Sequence, residues 1–243
     1  MNKYLQEIID TIENVDMRAF AEELVKTIPE YWYSVPASST LKYHPSYACV
    51  HAGLARHTVA VVRFLNHTFN IECMNTWTSR ERDILRIAAM MHDSRKSGSQ
   101  EEFETNKYTK FNHPLLAAAV VRGFSGKYLS EDEIECIATT IESHMGAWNK
   151  DKNSDLTLPL PKDRFQKMLH WADYLASRKD IEMVFDSEEE PEEDPTMDTY
   201  KITFGKFKGK TLTEIMKIEP DYLAWCKKNL DLREPLKTLL TDI

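Results

Sequence analysis

The run RIAAMMHDSRKSG, residues 86–98, sets His92 against Asp93 at the end of an apolar stretch, with Arg95 and Lys96 just beyond. An adjacent imidazole and carboxylate can bind a divalent metal, and a nearby lysine can meet the charge of a phosphate. The same pair can also be an ordinary polar helix end, so the choice rests on what other helices supply. His57 lies three residues after Leu54, four before Val61 and seven before Phe64, on an apolar helical stripe. His144 continues the stripe Ile134, Ile137, Ile141, and His113 opens a helix beside Leu115 and Leu116. Asp173 stands four residues after Leu169 and three before Ala176. A single histidine on such a face is usually a satisfied core residue. An aspartate there is costly unless paired or metal-bound, and the whole order H…HD…H…H…D favours metal.

The elements that must position these residues are helical. NKYLQEIIDTIENV and MRAFAEELVKTI are amphipathic and end at Pro29, which cannot donate a backbone N–H inside a helix. Further helices are predicted over about 52–72, over 80–93 with Thr78 or Ser79 as cap, and from Asn112, with Pro114 in the first turn. Another opens with the capping box Ser130–Glu133 and runs to about His144, and a sixth spans about 163–185. Residues 31–50 and 149–163 read as loops. No strand alternation precedes residue 200, so the large domain is expected to be all-α.

Composition bounds the rest. With 243 residues, 42% hydrophobic and 29% charged, the chain suits one fair-sized globular domain and a small second one. Cys49, Cys73, Cys136 and Cys226 form no CxxC pair, which argues against a zinc–thiolate site and suits a reducing, cytoplasmic setting. No leader and no membrane-length apolar run is evident, so no membrane partner is expected. The net charge of −8 is concentrated in residues 186–198, DSEEEPEEDPTMD, with eight acidic groups and no basic one. That segment is expected to be an extended linker between a domain at 1–185 and a module at 199–243. The module carries nine basic and six acidic groups. Its YKITFGKFKGKTLTEIMK alternates around Gly205 and Gly209 before helical spacing returns, which predicts a small α+β fold with a short hairpin.

On these residues the chain resembles the HD superfamily of metal-dependent phosphohydrolases, over about residues 35–180. AGLARHTVAVV is similar to the GGLxxHT helix of several bacterial HD proteins, including HD-domain 3′–5′ exoribonucleases, with Ala52 in place of the first glycine. HDSRK resembles HDxxK, which implies that Lys96 lies near the substrate phosphate. ADYLASR resembles the closing motif, which implies Asp173 as last ligand and Arg178 as an aid to anion binding. The fold implied is an HD helical bundle.

Imidazole and carboxylate without thiolate suit Mn, Fe, Zn, Ni or Co. His57, His92, Asp93 and Asp173 make a mononuclear set, and His113 and His144 supply a second metal with Asp93 as the bridge. Two ions can generate a hydroxide and clamp an in-line displacement at phosphorus. Lys96, with Arg95 and Arg178, would then offset phosphoryl charge, so Asp93, Lys96 and Arg178 are the expected catalytic residues and Arg95 a substrate contact.

FGKFKGKTLTEIM…PDYLAWCKKNL is similar to a module found after the exonuclease domain in exodeoxyribonuclease X relatives. Lys206 and Lys208, with Lys201, Lys210, Phe204 and Phe207, could contact phosphates and stack bases, or the aromatics could simply form the small core. The leading expectation is a phosphodiesterase acting on single-stranded nucleic acid or oligonucleotides, exonuclease-like. The alternatives are an HD phosphohydrolase of a free, dinucleoside or cyclic nucleotide, with the module used for assembly into an oligomer, and a non-catalytic metal-stabilised binding protein. A dinuclear site of this kind also serves an iron oxygenase, as in myo-inositol oxygenase, which an assay of O₂-dependent turnover would separate.

Overall fold

The computed structural model describes residues 2–38, 44–185, 196–198, 200–202, 205–229 and 236–240. The chain divides into two compact units, Met1–Phe185 and Asp186–Ile243. The first is helical. It runs through α1 (Lys3–Asp10), α2 (Val15–Val25), α3 (Gly53–Phe69), α4 (Ser79–Met91), α5 (Gln100–Thr105), α6 (His113–Arg122), α7 (Glu131–Glu142) and α8 (Arg164–Ala176), with short 3₁₀ turns between. Four of these helices start at reciprocal capping boxes: Thr78–Glu81, Ser99–Glu102, Ser130–Glu133 and Asp163–Gln166. Each satisfies backbone donors that a helix start would otherwise leave bare. Among the described residues no helix is long and apolar enough to cross a membrane.

Helix α3 is buried on nearly every side and lies against α1, α4 and α8, while α7 lies against α4, α6 and α8. Its start depends on two adjacent residues. Ala52 adopts a left-handed backbone with φ of 54° at the position where the resembling motif has its first glycine. Gly53 then passes so close to the preceding 3₁₀ turn (Ser46–Ala48) that a Cβ would sit 2.2 Å from the Ala48 carbonyl oxygen. Between α1 and α2, buried Asp83 of α4 accepts from the Glu13 and Asn14 backbone N–H groups, from Asn14 Nδ2 and from Arg86. That carboxylate ties the first two helices to the ligand-bearing α4.

Several expectations are corrected. Helix α8 ends at Ala176, not near 185, because the following residues fold back onto the core. Phe185 packs near Tyr4 and Tyr47, and Arg63 donates to the Val184 carbonyl. Asn112 makes no side-chain cap, since its ψ of 11° leaves the extended conformation that capping needs. Helix α5, with its own capping box, falls in a stretch assigned to no element by its spacing.

The second unit has a core of Ile202, Leu212, Ile215, Leu223, Leu236 and Leu240. It holds α9 (Leu212–Ile218), α10 (Pro220–Asn229) and α11 (Leu236–Leu239). Among the described residues the expected hairpin is a single antiparallel bridge, Lys201 with Thr211, and no strand forms. The chain between them is tightly wound rather than laddered: Ile202 donates to Lys210 and accepts from Gly209, while Lys210 donates to Phe207. Phe204 and most of the expected linker lie outside the described residues. Residues 196–198 belong with the module, where Met197 packs on the core and accepts from the Thr213 N–H.

Candidate metal centre

Four of the six expected ligands sit at helix ends, where a side chain can leave the helix face and turn inward. His92 follows α4, His113 opens α6, His144 follows α7 by two residues, and Asp93 follows His92. His57 is one turn into α3 from Gly53, so the close approach that needs glycine also sets the position of the imidazole. Asp173 lies in the last turn of α8. The structure brings all six together. His57 Nε2 is 3.0 Å from Asp173 Oδ1, and His92 Nε2 is 3.6 Å from Asp93 Oδ2 and 3.8 Å from Asp173 Oδ1. His113 Nε2 is 2.9 Å and His144 Nε2 is 3.7 Å from Asp93 Oδ1. Three overlapping groups have ligand atoms close enough to hold an ion: His57, His92, Asp93; His92, His144, Asp173; and Asp93, His113, His144.

The tautomers explain why such a cluster calls for a cation. Nδ1 of His92, His113 and His144 lies 2.6, 2.7 and 2.8 Å from the carbonyl oxygens of Ala89, Lys110 and Ile141. A carbonyl only accepts, so each Nδ1 carries the proton, and in the neutral ring Nε2 is then a bare lone pair. Those lone pairs then face one another and the carboxylates: His113 Nε2 is 3.4 Å from His144 Nε2. Acceptor against acceptor at these distances is repulsive, and His92 Nε2 and Asp93 Oδ1 are buried without a hydrogen-bond donor. A divalent ion relieves this arrangement, and backbone carbonyls behind ligating imidazoles are how metal sites fix ring orientation. The donor set of imidazole nitrogen and carboxylate oxygen fits a divalent transition metal.

Electrostatics agree in direction. Burial pushes the Asp93 carboxyl up, but the groups around it, the Lys96 ammonium foremost, hold it well below the usual range. Asp173 is likewise raised by burial and lowered by more, chiefly through His57. Burial lowers His92, and burial with His92 as neighbour takes His144 down to about 3. Carboxylates kept ionised beside imidazoles kept neutral are in the protonation states that metal ligands require.

A cavity of about 600 Å³ opens at the cluster, with His57, His144, Asp173, Lys96 and Arg178 in its wall. Lys96 Nζ is 2.7 Å from Asp93 Oδ2. Arg178 lies 4.2 Å over the Tyr174 ring and bonds Ser177 Oγ, while its Nε is buried without a partner. Arg95 is not brought into this cavity. The chain keeps winding after His92, so Lys96 returns to the side of Asp93 three residues on, whereas Arg95 becomes the electrostatic neighbour of the Tyr31 phenol. In the second unit, Lys206 pairs with Glu219 at 2.6 Å and lies over the Phe207 and Tyr222 rings, and Lys208 is exposed.

Sequence reasoning missed His44, whose ring meets His57 edge-on at 5.3 Å and whose Nδ1 is buried without a partner. It sits in a loop, where no periodicity marks it. It also missed Trp148, Lys152, His170 and Tyr174 in the cavity wall. For His170 and Tyr174 a signal existed, since they are four residues apart and bracket Asp173 on one helix.

With a helical fold and this cluster in place, comparison with known families is direct. The HD domain model matches residues 54–178, more than half of the chain, and the chain belongs to the HD domain family. The Exodeoxyribonuclease X-like C-terminal model matches residues 202–231. No curated protein and no solved structure gives a significant match.

Proposed function

We propose that the protein is a metal-dependent phosphodiesterase acting on single-stranded nucleic acid or oligonucleotides. The observation that carries this reading is the convergence of bare imidazole nitrogens and ionised carboxylates on one cavity that also holds Lys96. His57, His92, Asp93 and Asp173 would hold one ion, and His113 and His144, sharing Asp93, a second, drawn from Mn, Fe, Zn, Ni or Co. When bound, such ions supply Lewis acidity to phosphoryl oxygens and lower the pKa of water.

The chain's own groups do the rest. Lys96 holds Asp93 in one orientation and presents positive charge where the phosphoryl oxygens gather charge. Arg178, with one guanidinium N–H unsatisfied, offers a second donor to an anion in the cavity. The match of the second unit to an exonuclease-associated module supports a nucleic-acid substrate, with Lys206 and Lys208 as phosphate contacts. A second reading, hydrolysis of a free nucleotide, is favoured by the cavity, whose volume of about 600 Å³ suits one small ligand.

Elemental analysis of wild type, His92→Ala and His144→Ala, with hydrolysis of bis-p-nitrophenyl phosphate followed in the same samples, tests the site. Two ions per chain are expected, falling with each substitution together with turnover; metal-free, inactive protein after reconstitution with all five metals refutes it. Lys96→Ala should lower turnover with metal content unchanged. Deleting residues 199–243 tests the module: oligonucleotide hydrolysis falls if the module feeds the site, and the feeding role is wrong if oligonucleotide hydrolysis and nucleotide turnover are both unchanged.

A further inference from the structure

We propose that Trp148 and Tyr174 form a stacking platform for a nucleobase at the mouth of the cavity, so that the site selects phosphoesters carrying a base. This deepens the phosphodiesterase reading and rests on it for the position of the phosphate. Both rings line the cavity that contains His57, Lys96, His144 and Asp173. They are 55% and 39% exposed, with centroids 6.0 Å apart and planes inclined by 14°. Single exposed aromatics are common, but a parallel pair beside a polar cluster offers a π surface that a base can cover.

The platform is built into the backbone that positions the centre. Trp148 ends a 3₁₀ turn four residues after His144. That turn depends on Gly146, whose φ is +54° and whose Cβ would lie 2.1 Å from the His170 ring. His170 in turn has Nδ1 2.7 Å from the His144 carbonyl oxygen, so one imidazole buttresses both the expected ligand and the turn leading to Trp148. On the other side Trp148 is followed by buried Asn149, which bonds the Leu158 carbonyl and closes the next loop. The ring is therefore held at both ends of its segment while more than half of it stays open.

Across from it, His170 and Tyr174 stand four residues apart on α8, and Arg178, just past the helix end, lies over the Tyr174 ring. Lys152 lines the same cavity from the loop beyond Trp148. Aromatic faces interleaved with cations are how proteins bind single strands without sequence preference. Trp148 and Lys152 also line a neighbouring cavity of about 610 Å³ with Phe111, which gives a substrate longer than one nucleotide room to continue.

The test uses full-length, Mn-loaded protein and two slowly hydrolysed ligands, phosphorothioate-linked dithymidine and the same backbone without bases. Wild type is expected to bind the base-bearing ligand about 5- to 150-fold more tightly, the range that one stacked base supplies. Trp148→Ala and Tyr174→Ala should each remove most of that ratio, and Trp148→Phe should keep much of it. Equal binding of the two ligands by wild type, or a ratio untouched in Trp148→Ala, overturns the platform. Hydrolysis of bis-p-nitrophenyl phosphate, measured separately, keeps the two ideas apart: a base preference without turnover sinks only the catalytic reading, and turnover without base preference sinks only the platform.

Discussion

In the first unit His57, His92, Asp93, His113 and His144 are each no more than 1% exposed, whereas in the second Lys201, Lys206, Lys208 and Lys210 stand in solvent around a small core of described residues. Buried, a polar group costs free energy unless something answers it, so every atom of the cluster is constrained by its neighbours. Exposed, a lysine is answered by water and salt, and its position is set by little more than the loop that carries it. The contrast teaches that, on the proposed function, the first unit would meet a phosphate by fixed geometry at short range, and the second by charge that salt can screen.

The strongest way to break the comparison is Asp93→Asn, which removes the carboxylate shared by two of the ligand groups. Turnover should fall by roughly a hundred- to a thousand-fold, with metal content falling in elemental analysis; full activity would show that the buried cluster is not the reactive one. Next is Gly53→Ala, where the added Cβ meets backbone that cannot yield. A loss of about 3 kcal/mol in urea unfolding is expected, while Ala52→Gly should be close to neutral, because relief of left-handed strain is offset by lost burial and added chain entropy.

In the exposed unit the expected effects are smaller and follow salt. Lys208→Ala should reduce the slope of log affinity against log salt for a thymidine oligonucleotide by about 0.7. Lys206→Ala should reduce it less, since its charge is already shared with Glu219. Equal slopes in all three proteins would remove the lysines from the binding surface. The smallest effect sharpens the first unit's own surface. Glu133 is pulled down to about 2, chiefly by its hydrogen bond to Arg80. Its depressed pKa means the stabilisation is present above the ordinary value of 4.5 and is lost as pH falls towards 2. Glu133→Gln should therefore cost under about 1 kcal/mol at pH 7, and the difference from wild type should vanish near pH 2.

How much was legible follows from the same contrast. Helix starts were readable at Thr78 and Ser130, because capping is local in sequence, although the box at Ser99 that opens α5 was not read. The six residues His57, His92, Asp93, His113, His144 and Asp173 were readable because polar groups on apolar stripes conflict with their own neighbourhood. The end of α8 was not, since Phe185 and Val184 are drawn off the helix by partners more than a hundred residues away. The expected hairpin failed for a short-range reason: between Lys201 and Thr211 the chain turns at Gly205 and Gly209 instead of running extended.

The sequence by itself determined the helical class of the large unit and the side chains able to hold a cation, since periodicity and residue chemistry suffice for both. Only the tertiary structure decided which way those groups face. It turned Lys96 into the cavity and Arg95 away, brought His44 against His57, and set Trp148 parallel to Tyr174. Apart from Lys96, which the winding of the chain returns to Asp93, these depend on contacts between separate segments, and such contacts leave no periodic trace in either segment alone.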